Sequence, residues 1–412
     1  MTEFGAFVAD AHRAGRLVVQ PRMGVSDPNA MRAGLLATKH AAATTVGTIT
    51  LDSYTRVGDH AAARAALRSG ADLNGYPITT HDVATTRAML AGVAGADFPV
   101  QVRHGSAIPD HIVAALVRAG LHATEGGPVS YCLPYSRTPL ATAVDSWARC
   151  CEQLAGLTGA HLESFGGCLM GQLCPPSLLV AVSVLEGLFF RQHGLRSISL
   201  SYAQQTHPEQ DREAVLALRR LAAELLSDVS VHIVVYAYMG VYPKTAGGAT
   251  ALLAEAARLA VRTGAARLIV KTTAEAHRIP TIRENVTALE AAAAAAQDCG
   301  TDVDDPADTE VYLEARALVE AVLDLGPDLG RALADAFRLG YLDVPFCLHP
   351  DNAGQARGRL DDDGRLRWAR TGAMPLRPGK GDTELTSTGL LTSLSYVERT
   401  FDDAALEAAA RI

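Results

Sequence analysis

The chain has 412 residues, of which 48% are hydrophobic and 20% are charged, and its formal net charge is -8 at pH 7. This composition is typical of a globular protein with a large core, and the acidic balance without a basic run argues against a nucleic-acid partner. The most apolar run, residues 178–190, is interrupted by Glu186 and is shorter than the roughly 20 residues that cross a bilayer. The N-terminus lacks a signal-peptide pattern, so we expect a cytoplasmic protein without membrane contact.

Cysteine spacing predicts no special chemistry. The seven cysteines form an odd set without a C-x-x-C pair or regularly spaced histidines nearby. This pattern predicts neither a zinc site nor a disulfide framework, and buried thiols in a reducing compartment explain most of these residues.

Short β-rich runs recur along the first two thirds of the chain, and alanine-rich segments with helical spacing lie between them. The runs are residues 16–24, 44–52, 71–79, 98–105, 121–127, 160–167, 196–203, 229–238 and 266–273. Because parallel strands need crossover helices, this alternation predicts an α/β fold with a parallel sheet, either a TIM barrel or a close relative. Nine runs are one too many for a TIM barrel, so we expect one to be an edge hairpin or no strand.

The strand and helix alternation fades towards the C-terminus. The tail at 359–384 is rich in turn residues and charges. We therefore expect residues 1–330 to form the barrel and residues 331–412 to form a C-terminal extension, helical and irregular, that packs on it.

Polar side chains follow several of the predicted strands. They are Arg22, Arg56, Asn74, Arg103, His104, Glu125 and Lys271. The C-terminal edge of a parallel barrel is its active face, and guanidinium forks match carboxylate geometry, so three arginines there predict a dianionic ligand. An alternative is that an arginine merely pairs with a strand-end acid such as Asp52. His104 could contact the ligand or orient a neighbour.

The segment Thr124–Arg137, "TEGGPVSYCLPYSR", has glycines and prolines that predict irregular structure. Glu125 beside arginines should stay ionised, and it could accept from a substrate ammonium or act as a base. Tyr131 and Tyr135 could close hydrogen bonds to a carboxylate or simply cover the barrel mouth. Cys132 has no predicted role.

Lys271 follows an apolar strand and could form a Schiff base, bind an anion or bond a sugar hydroxyl. Glu275 lies one helical turn further on and could pair with it. A glycine-rich phosphate loop of Walker or G-x-G-x-x-G type is absent from the sequence, which argues against nucleotide hydrolysis.

A set of segments occurs in a specific order. They are "QPRMG", "TLDSYTR", "LNGYP", "VRHG", "TEGGPVSYCLPY", "LCPPS", "MGVYP", "IVKTTAEAHRIPT" and "DNAG". The ordered set resembles the catalytic large (epsilon) subunit of adenosylcobalamin-dependent glutamate mutase, or methylaspartate mutase, from about Arg16 to beyond Gly354. The resemblance implies a TIM-barrel isomerase that interconverts L-glutamate and 3-methylaspartate by a radical rearrangement of the carbon skeleton.

The resemblance also implies roles for individual residues. On the substrate side they are the carboxylate clamp Arg22, Arg56 and Arg103, with His104 beside it, Glu125 facing the amino group, and Tyr131 and Tyr135 lining the pocket. Arg103 and Glu125 are the implied catalytic residues. On the cobalamin or adenosyl side they are Gly24, Asn74, Pro134, Tyr242, Lys271, Glu275 and Ile279.

The chain has no D-x-H-x-x-G segment, by which a separate small subunit of this family holds cobalamin. The resemblance therefore implies a cobalamin-binding partner and a dimer of large subunits, giving a heterotetramer. Two alternatives stay open: a TIM-barrel lyase or aldolase that uses Lys271, and a non-catalytic dicarboxylate-binding protein. The sequence does not distinguish a catabolic from a biosynthetic role.

Overall fold

The protein is described by a computed structural model that covers residues 3–300, 308–377 and 386–410. Eight parallel strands build its centre. They are β1 (Val18–Gln20), β2 (Gly47–Thr50), β3 (Val100–Arg103), β4 (Ala123–Gly126), β5 (His161–Ser164), β6 (Ser197–Ala203), β7 (Ser230–Tyr236) and β8 (Arg267–Ile269). Each is short and buried along most of its length, as expected for strands that are covered on both faces.

The strands form a TIM-type barrel. Their order is β1-β8-β7-β6-β5-β4-β3-β2, and every neighbouring pair in this order is parallel. The remaining seam, between β1 and β2, is joined by a parallel bridge from Val19 to Thr45. The predicted barrel is therefore confirmed, with all strand C-termini at one edge.

The expectation that one of the nine runs is not a strand is also confirmed. Residues 71–79 form a loop that touches the barrel through a bridge between Leu51 and Tyr76. Its Gly75 lies so close to the end of β2 that an added Cβ would stand 2.5 Å from the Leu51 carbonyl carbon. The run therefore packs across a strand end instead of joining the sheet.

Helices surround the barrel. In chain order they are α1 (Phe4–Arg13), α2 (Pro28–Lys39), α3 (Ser53–Val57), α4 (His60–Arg68), α5 (Val83–Leu90), α6 (Asp110–Ala119), α7 (Leu140–Ala155), α8 (Pro176–Gln192), α9 (Pro208–Leu225), α10 (Ala246–Arg262), α11 (Ile282–Gln297), α12 (Glu310–Leu323), α13 (Leu329–Leu339), α14 (Ser387–Leu394) and α15 (Tyr396–Ala409). Aspartate or threonine side chains cap many of their N-termini, and Thr281 with Glu284 forms a capping box on α11.

The N-terminal helix lies against the opposite end of the barrel from the predicted active face. Phe4 of α1 stacks on His161, the first residue of β5, and lies under the guanidinium of Arg267, the first residue of β8. This contact covers the N-terminal ends of the strands, so the open mouth is at their C-terminal ends.

The C-terminal region shares the core of the barrel. Helices α12 and α13 pack on α7, α8 and α9, and residue 330 lies inside α13. The division at that residue stays a prediction. The tail also contains an antiparallel hairpin that was not predicted, β9 (Arg357–Leu360) and β10 (Leu366–Arg370). Its strands are short and rich in arginine, which hides their pattern; residues 378–384 of the tail lie outside the described residues.

No helix in residues 3–300, 308–377 or 386–410 combines the length and the apolar character needed to span a membrane.

Candidate active site

The three predicted arginines come together at the barrel mouth. Arg103 ends β3, Arg22 lies two residues after β1, and Arg56 lies in α3, one helical turn after β2 instead of at a strand end. Burial lowers the pKa of the Arg56 guanidinium, and the charges of Arg22 and Arg103 lower it further against opposing effects of Tyr131 and Asp52. Arg56 thus lies within electrostatic reach of both Arg22 and Arg103, which favours binding of an anion near these guanidinium groups.

Two of these arginines are free of carboxylate partners within the part of the chain that the structure describes. The Nε of Arg56 donates to the Leu51 carbonyl oxygen at 3.0 Å. Asp52 caps α3 by accepting from Thr55 N. Within the described residues Arg56 forms no ion pair with Asp52, whereas Arg103 does pair with the strand-end acid Glu125.

Arg103 and Glu125 form a buried ion pair. The Arg103 Nε donates to Glu125 Oε2 at 2.7 Å, and both side chains are almost fully excluded from solvent. Tyr131 donates to the other oxygen of Glu125, and Tyr236 donates to Oε2 at 2.7 Å. Glu125 therefore has three side-chain donors around it. It lies in β4, so the expectation that Thr124–Gly126 is irregular is wrong.

The loop after β4 is held by a buried carboxylate on α8. Glu186 accepts from Val129 N at 3.1 Å and from Ser130 N at 2.8 Å on one oxygen, and from two serine hydroxyls on the other. The glycines before it are required by space and conformation. Gly126 has φ +135°, and a Cβ on Gly127 would stand 2.1 Å from the Glu186 carboxyl carbon. Together these contacts position Tyr131.

His104 is buried and neutral. Burial, reinforced by the charge of Arg56, lowers the pKa of His104 to about 3. Its Nδ1 accepts from Ser106 N at 3.0 Å, so Nε2 carries the proton. In the described part of the chain this buried Nε2 has no hydrogen-bond partner. The ring stacks on Trp147 and meets Tyr131 edge-on, which fixes the direction of the free N–H.

Tyr135 lies at the rim of the barrel mouth and is more exposed to solvent than Tyr131. It is 51% exposed, and its ring meets that of Tyr131 edge-on with 6.0 Å between centroids. Pro134 beside it is half-buried. The two tyrosines therefore have different places: Tyr131 donates a hydrogen bond to Glu125 inside the barrel, whereas Tyr135 covers the mouth.

Lys271 stands on the opposite side of the mouth, after β8. Its Nζ lies 3.6 Å from Glu275 Oε2 and 4.8 Å from the centroid of the Tyr242 ring. Burial and the charge of Arg22 lower the pKa of Lys271 to about 8, although Glu275 acts in the opposite direction. The predicted pair is therefore present, but it lies in a turn and not in a helix.

The remaining predicted cofactor residues differ in their surroundings. Ile279 is 68% exposed. Asn74 is also exposed, and its side chain bonds Ser53 twice, accepting from Ser53 N at 3.0 Å and donating to Ser53 Oγ at 2.7 Å. Gly24 packs on β2, where an added Cβ would stand 2.1 Å from the Thr50 carbonyl oxygen. In this structure Asn74 and Gly24 support the arginine-bearing segments of the site.

A polar network inside the barrel was missed by sequence reasoning. Glu163 of β5 accepts from Arg267 of β8, from Ser199 Oγ at 3.1 Å and from Gln101 Nε2 at 3.3 Å, and Tyr236 of β7 donates to it. These side chains reach across the barrel beside Glu125, which pairs in register with Glu163. A signal existed in β5, where Glu163 places a carboxylate within a predicted buried strand, but inward orientation follows only from strand register.

Cys132 now has a structural explanation. Its Sγ donates to the Thr138 carbonyl oxygen at 3.2 Å, and burial raises the pKa of the thiol to about 11. Arg137 donates to the Leu348 carbonyl oxygen at 2.7 Å, and Cys132 Sγ also lies 3.8 Å from His349 Nε2. These contacts join the loop after β4 to the C-terminal region.

The comparison with known sequences decides the family. The sequence matches the family described as methylaspartate mutase E chain over residues 1–386. The chain belongs to this family. Membership supports a mutase and confirms the resemblance seen in the ordered segments.

Individual relatives of this family agree. Proteins named glutamate mutase epsilon subunit include one from Halobacterium salinarum, 33% identical over 348 residues, which is 79% of this chain and 71% of the relative. The Escherichia coli O157:H7 relative is 30% identical over 396 residues, covering 90% and 81% respectively. The Haloarcula marismortui relative is 34% identical over 338 residues, covering 77% and 68%.

Proposed function

We propose that this chain is the catalytic subunit of an adenosylcobalamin-dependent glutamate mutase that interconverts L-glutamate and 3-methylaspartate. The observation that carries the proposal is the buried Arg103–Glu125 pair at the barrel mouth, with Arg56 within electrostatic reach of both Arg103 and Arg22. This arrangement suits a ligand with two carboxylates and one ammonium, and the family membership supports the same substrate class.

The arginines bind the two carboxylates of the substrate. Arg22 and Arg56 present guanidinium groups without carboxylate partners in the described residues, and Arg103 keeps its outer nitrogens available while its Nε holds Glu125. The Nε2–H of His104 adds a neutral donor that points from a fixed ring. Fork-shaped donors on rigid elements give both affinity and a single orientation.

Glu125 accepts hydrogen bonds from the substrate ammonium and is the candidate base. Its position in a strand, with Arg103 and Tyr131 bonded to it, fixes the carboxylate before substrate arrives. The fixed clamp also holds reacting fragments in register during a skeleton rearrangement, and the aromatic side chains around it exclude water. Arg103 and Glu125 therefore combine binding with catalysis.

The opposite side of the mouth fits adenosylcobalamin. Lys271 and Glu275 offer a cation and a carboxylate at the end of β8, and the buried hydroxyl of Tyr242 lacks a partner within the described chain. The exposed apolar side chain of Ile279 borders this side. When bound, adenosylcobalamin supplies the radical that starts the rearrangement. Lys271, Glu275 and Tyr242 would hold its polar part, and Ile279 and Pro134 would contact its apolar surface.

A separate cobalamin-binding small subunit completes the proposed enzyme. The sequence carries no D-x-H-x-x-G segment, and the mouth leaves apolar side chains exposed around the cofactor side. We propose that the two subunits enclose the cofactor between them, and that the large subunits dimerise to a heterotetramer.

The proposal is tested by reconstitution. The full chain is combined with a cobalamin-binding small subunit and adenosylcobalamin, and the conversion of L-glutamate and of 3-methylaspartate is followed. We expect interconversion in both directions that requires both additions. Absence of turnover with every matched small subunit, although L-glutamate still binds, would leave a dicarboxylate-binding protein.

One observation favours a second candidate, a lyase or aldolase. Lys271 is an enclosed amine whose pKa is lowered to about 8, which increases the fraction of neutral nucleophile near pH 7. Borohydride reduction in the presence of a carbonyl substrate would trap a Lys271 adduct in such an enzyme. The mutase proposal predicts that no adduct forms.

A further inference from the structure

The hydroxyl of Tyr236 lies between two carboxylates that belong to different strands. Its oxygen is 2.7 Å from Glu125 Oε2 in β4 and also contacts Glu163 Oε1 in β5. All three side chains are buried. A neutral phenol has a single proton, so it can donate to only one of the two carboxylates at a time.

Neither carboxylate supplies a second proton to this contact. Glu163 is paired with Arg267, and Glu125 is paired with Arg103. Burial alone would raise the pKa of Glu163, but Arg267 and the hydrogen bonds of Tyr236 and Arg267 outweigh it and lower the pKa. Burial and the two carboxylates raise the pKa of Tyr236, so the phenol keeps its proton.

The two acceptors differ in what else they bind. Glu163 keeps Arg267, Ser199 and Gln101 as donors whether or not the phenol faces it. Glu125 has Arg103 and Tyr131, and it must gain a further donor when a substrate ammonium arrives. The ammonium and the phenol therefore compete for the same carboxylate, and only the phenol has an alternative acceptor.

We propose that Tyr236 is a positioning residue whose hydroxyl donates to Glu125 in the empty site and turns to Glu163 when the substrate ammonium binds. The motion is a rotation of the O–H about the phenol C–O bond; it breaks one hydrogen bond and forms another, without transferring a proton. This inference rests on the proposed function, in which Glu125 receives the ammonium.

The arrangement has a direct chemical consequence. In the empty site the phenol is one of the donors to buried Glu125, and on substrate binding it turns to Glu163 without losing a hydrogen bond. Removal of the hydroxyl leaves Glu125 with one donor fewer in the empty site, so an arriving ammonium fills a position that the phenol otherwise occupies. Binding of a ligand with an ammonium is then strengthened relative to binding of a ligand without one.

The test compares L-glutamate with glutarate, which has the two carboxylates but no ammonium. Calorimetric titrations of the full chain with each ligand are made at pH 7.5 with wild type, Tyr236→Phe and Tyr202→Phe. Tyr202, on the neighbouring strand β6, is the matched control. It is a buried tyrosine whose hydroxyl donates to the Asp211 carboxylate at 2.7 Å.

For Tyr236→Phe we expect the ratio of the L-glutamate affinity to the glutarate affinity to rise about tenfold over wild type, as for one additional hydrogen bond to a charged group. Glutarate affinity in the same variant, and the affinities of both ligands in Tyr202→Phe, should keep their wild-type values. An unchanged affinity ratio in Tyr236→Phe would overturn the inference, as would loss of both ligands. If wild type binds neither ligand, the proposed substrate site itself is wrong.

Discussion

The two sides of the barrel mouth are built to different degrees by this chain. Near β3 and β4, Arg103 and Glu125 are buried and bonded to each other and to neighbouring side chains. Near β8, Lys271 reaches Glu275 only at 3.6 Å, and Ile279 stands in solvent. The difference teaches that the chain by itself assembles the proposed substrate side, whereas it forms the proposed cofactor side only in part.

The support behind each side shows the same contrast. The substrate side is braced from inside the barrel by Glu163, Tyr236 and Arg267 and from α8 by Glu186. The loop that carries Tyr242 is braced from outside by α15, where Asp402 accepts from Lys244 N, Thr245 N and Thr245 Oγ1. Substitutions on one side should therefore leave the other side's ligand almost unaffected.

The largest effect is expected for Arg103→Lys. Lysine keeps the charge but loses both the Nε bond to Glu125 and the fork for a substrate carboxylate. We expect kcat/KM for L-glutamate to fall about a hundredfold to a thousandfold, with affinity for adenosylcobalamin unchanged. Arg149→Lys on the exposed face of α7 is the control, and near-normal kinetics of Arg103→Lys would contradict the clamp.

Next in size is the effect of pH on the brace of the substrate side. Burial raises the pKa of Glu186 from its ordinary value of 4.5 to about 7, even though Ser130, Ser164 and Val129 donate to it. The folded protein therefore binds the proton more tightly than the unfolded chain, so this group's contribution to stability is lost as pH rises from about 4.5 to about 7.

Glu186→Gln should remove that loss. The amide oxygen can accept hydrogen bonds from the two backbone N–H groups. The amide nitrogen can donate to the serine hydroxyl oxygens, which then act as acceptors instead of donors. In urea unfolding we expect the variant to gain up to about 3 kcal/mol on wild type across this pH range. The exposed substitution Glu320→Gln should show no such gain; an equal pH dependence of wild type and Glu186→Gln would refute the prediction.

On the cofactor side, Lys271→Met should weaken adenosylcobalamin and spare the substrate. Loss of a charged hydrogen-bond donor predicts a rise of about tenfold to a hundredfold in the KM for the cofactor. Since the pKa of Lys271 is about 8, cofactor affinity of wild type should also fall as pH rises through about 8. Lys39→Met, outside the barrel mouth, serves as control. A loss of L-glutamate binding in Lys271→Met would break the separation of the two sides.

The smallest effect is expected for Asp402→Ala. This change removes the bonds that α15 makes to the start of α10, so the free energy of unfolding should decrease by about 1 kcal/mol. Cofactor KM should rise slightly, and the KM for L-glutamate should stay unchanged. The exposed neighbour Asp403→Ala is matched in position and charge; equal unfolding curves for the two variants would argue against the brace.

Sequence alone predicted much of this molecule because its signals were local. Alternation of strands and helices indicated the barrel, and the polar residues after the strands indicated Arg22, Arg103 and Glu125 as neighbours. The ordered segments indicated the family.

The remaining features depend on contacts between residues far apart in the chain. Glu163 of β5 meets Tyr236 of β7 and Arg267 of β8, strands two and three places away, only when the barrel closes. The contact of Asp402 with Thr245 joins segments more than 150 residues apart. Asn74 shows the opposite case, a residue noticed in the sequence whose amide is engaged with Ser53 in the fold.

The most direct measurement is a binding comparison on the full chain with and without the cobalamin-binding small subunit. Calorimetry should show that L-glutamate binds the chain alone with about the affinity it has in the complex, because its ligands Arg22, Arg56, Arg103 and Glu125 are already assembled. Adenosylcobalamin should bind tightly only when the small subunit is present. Binding of L-glutamate that requires the small subunit, or tight cofactor binding by the chain alone, would contradict the division between the two sides.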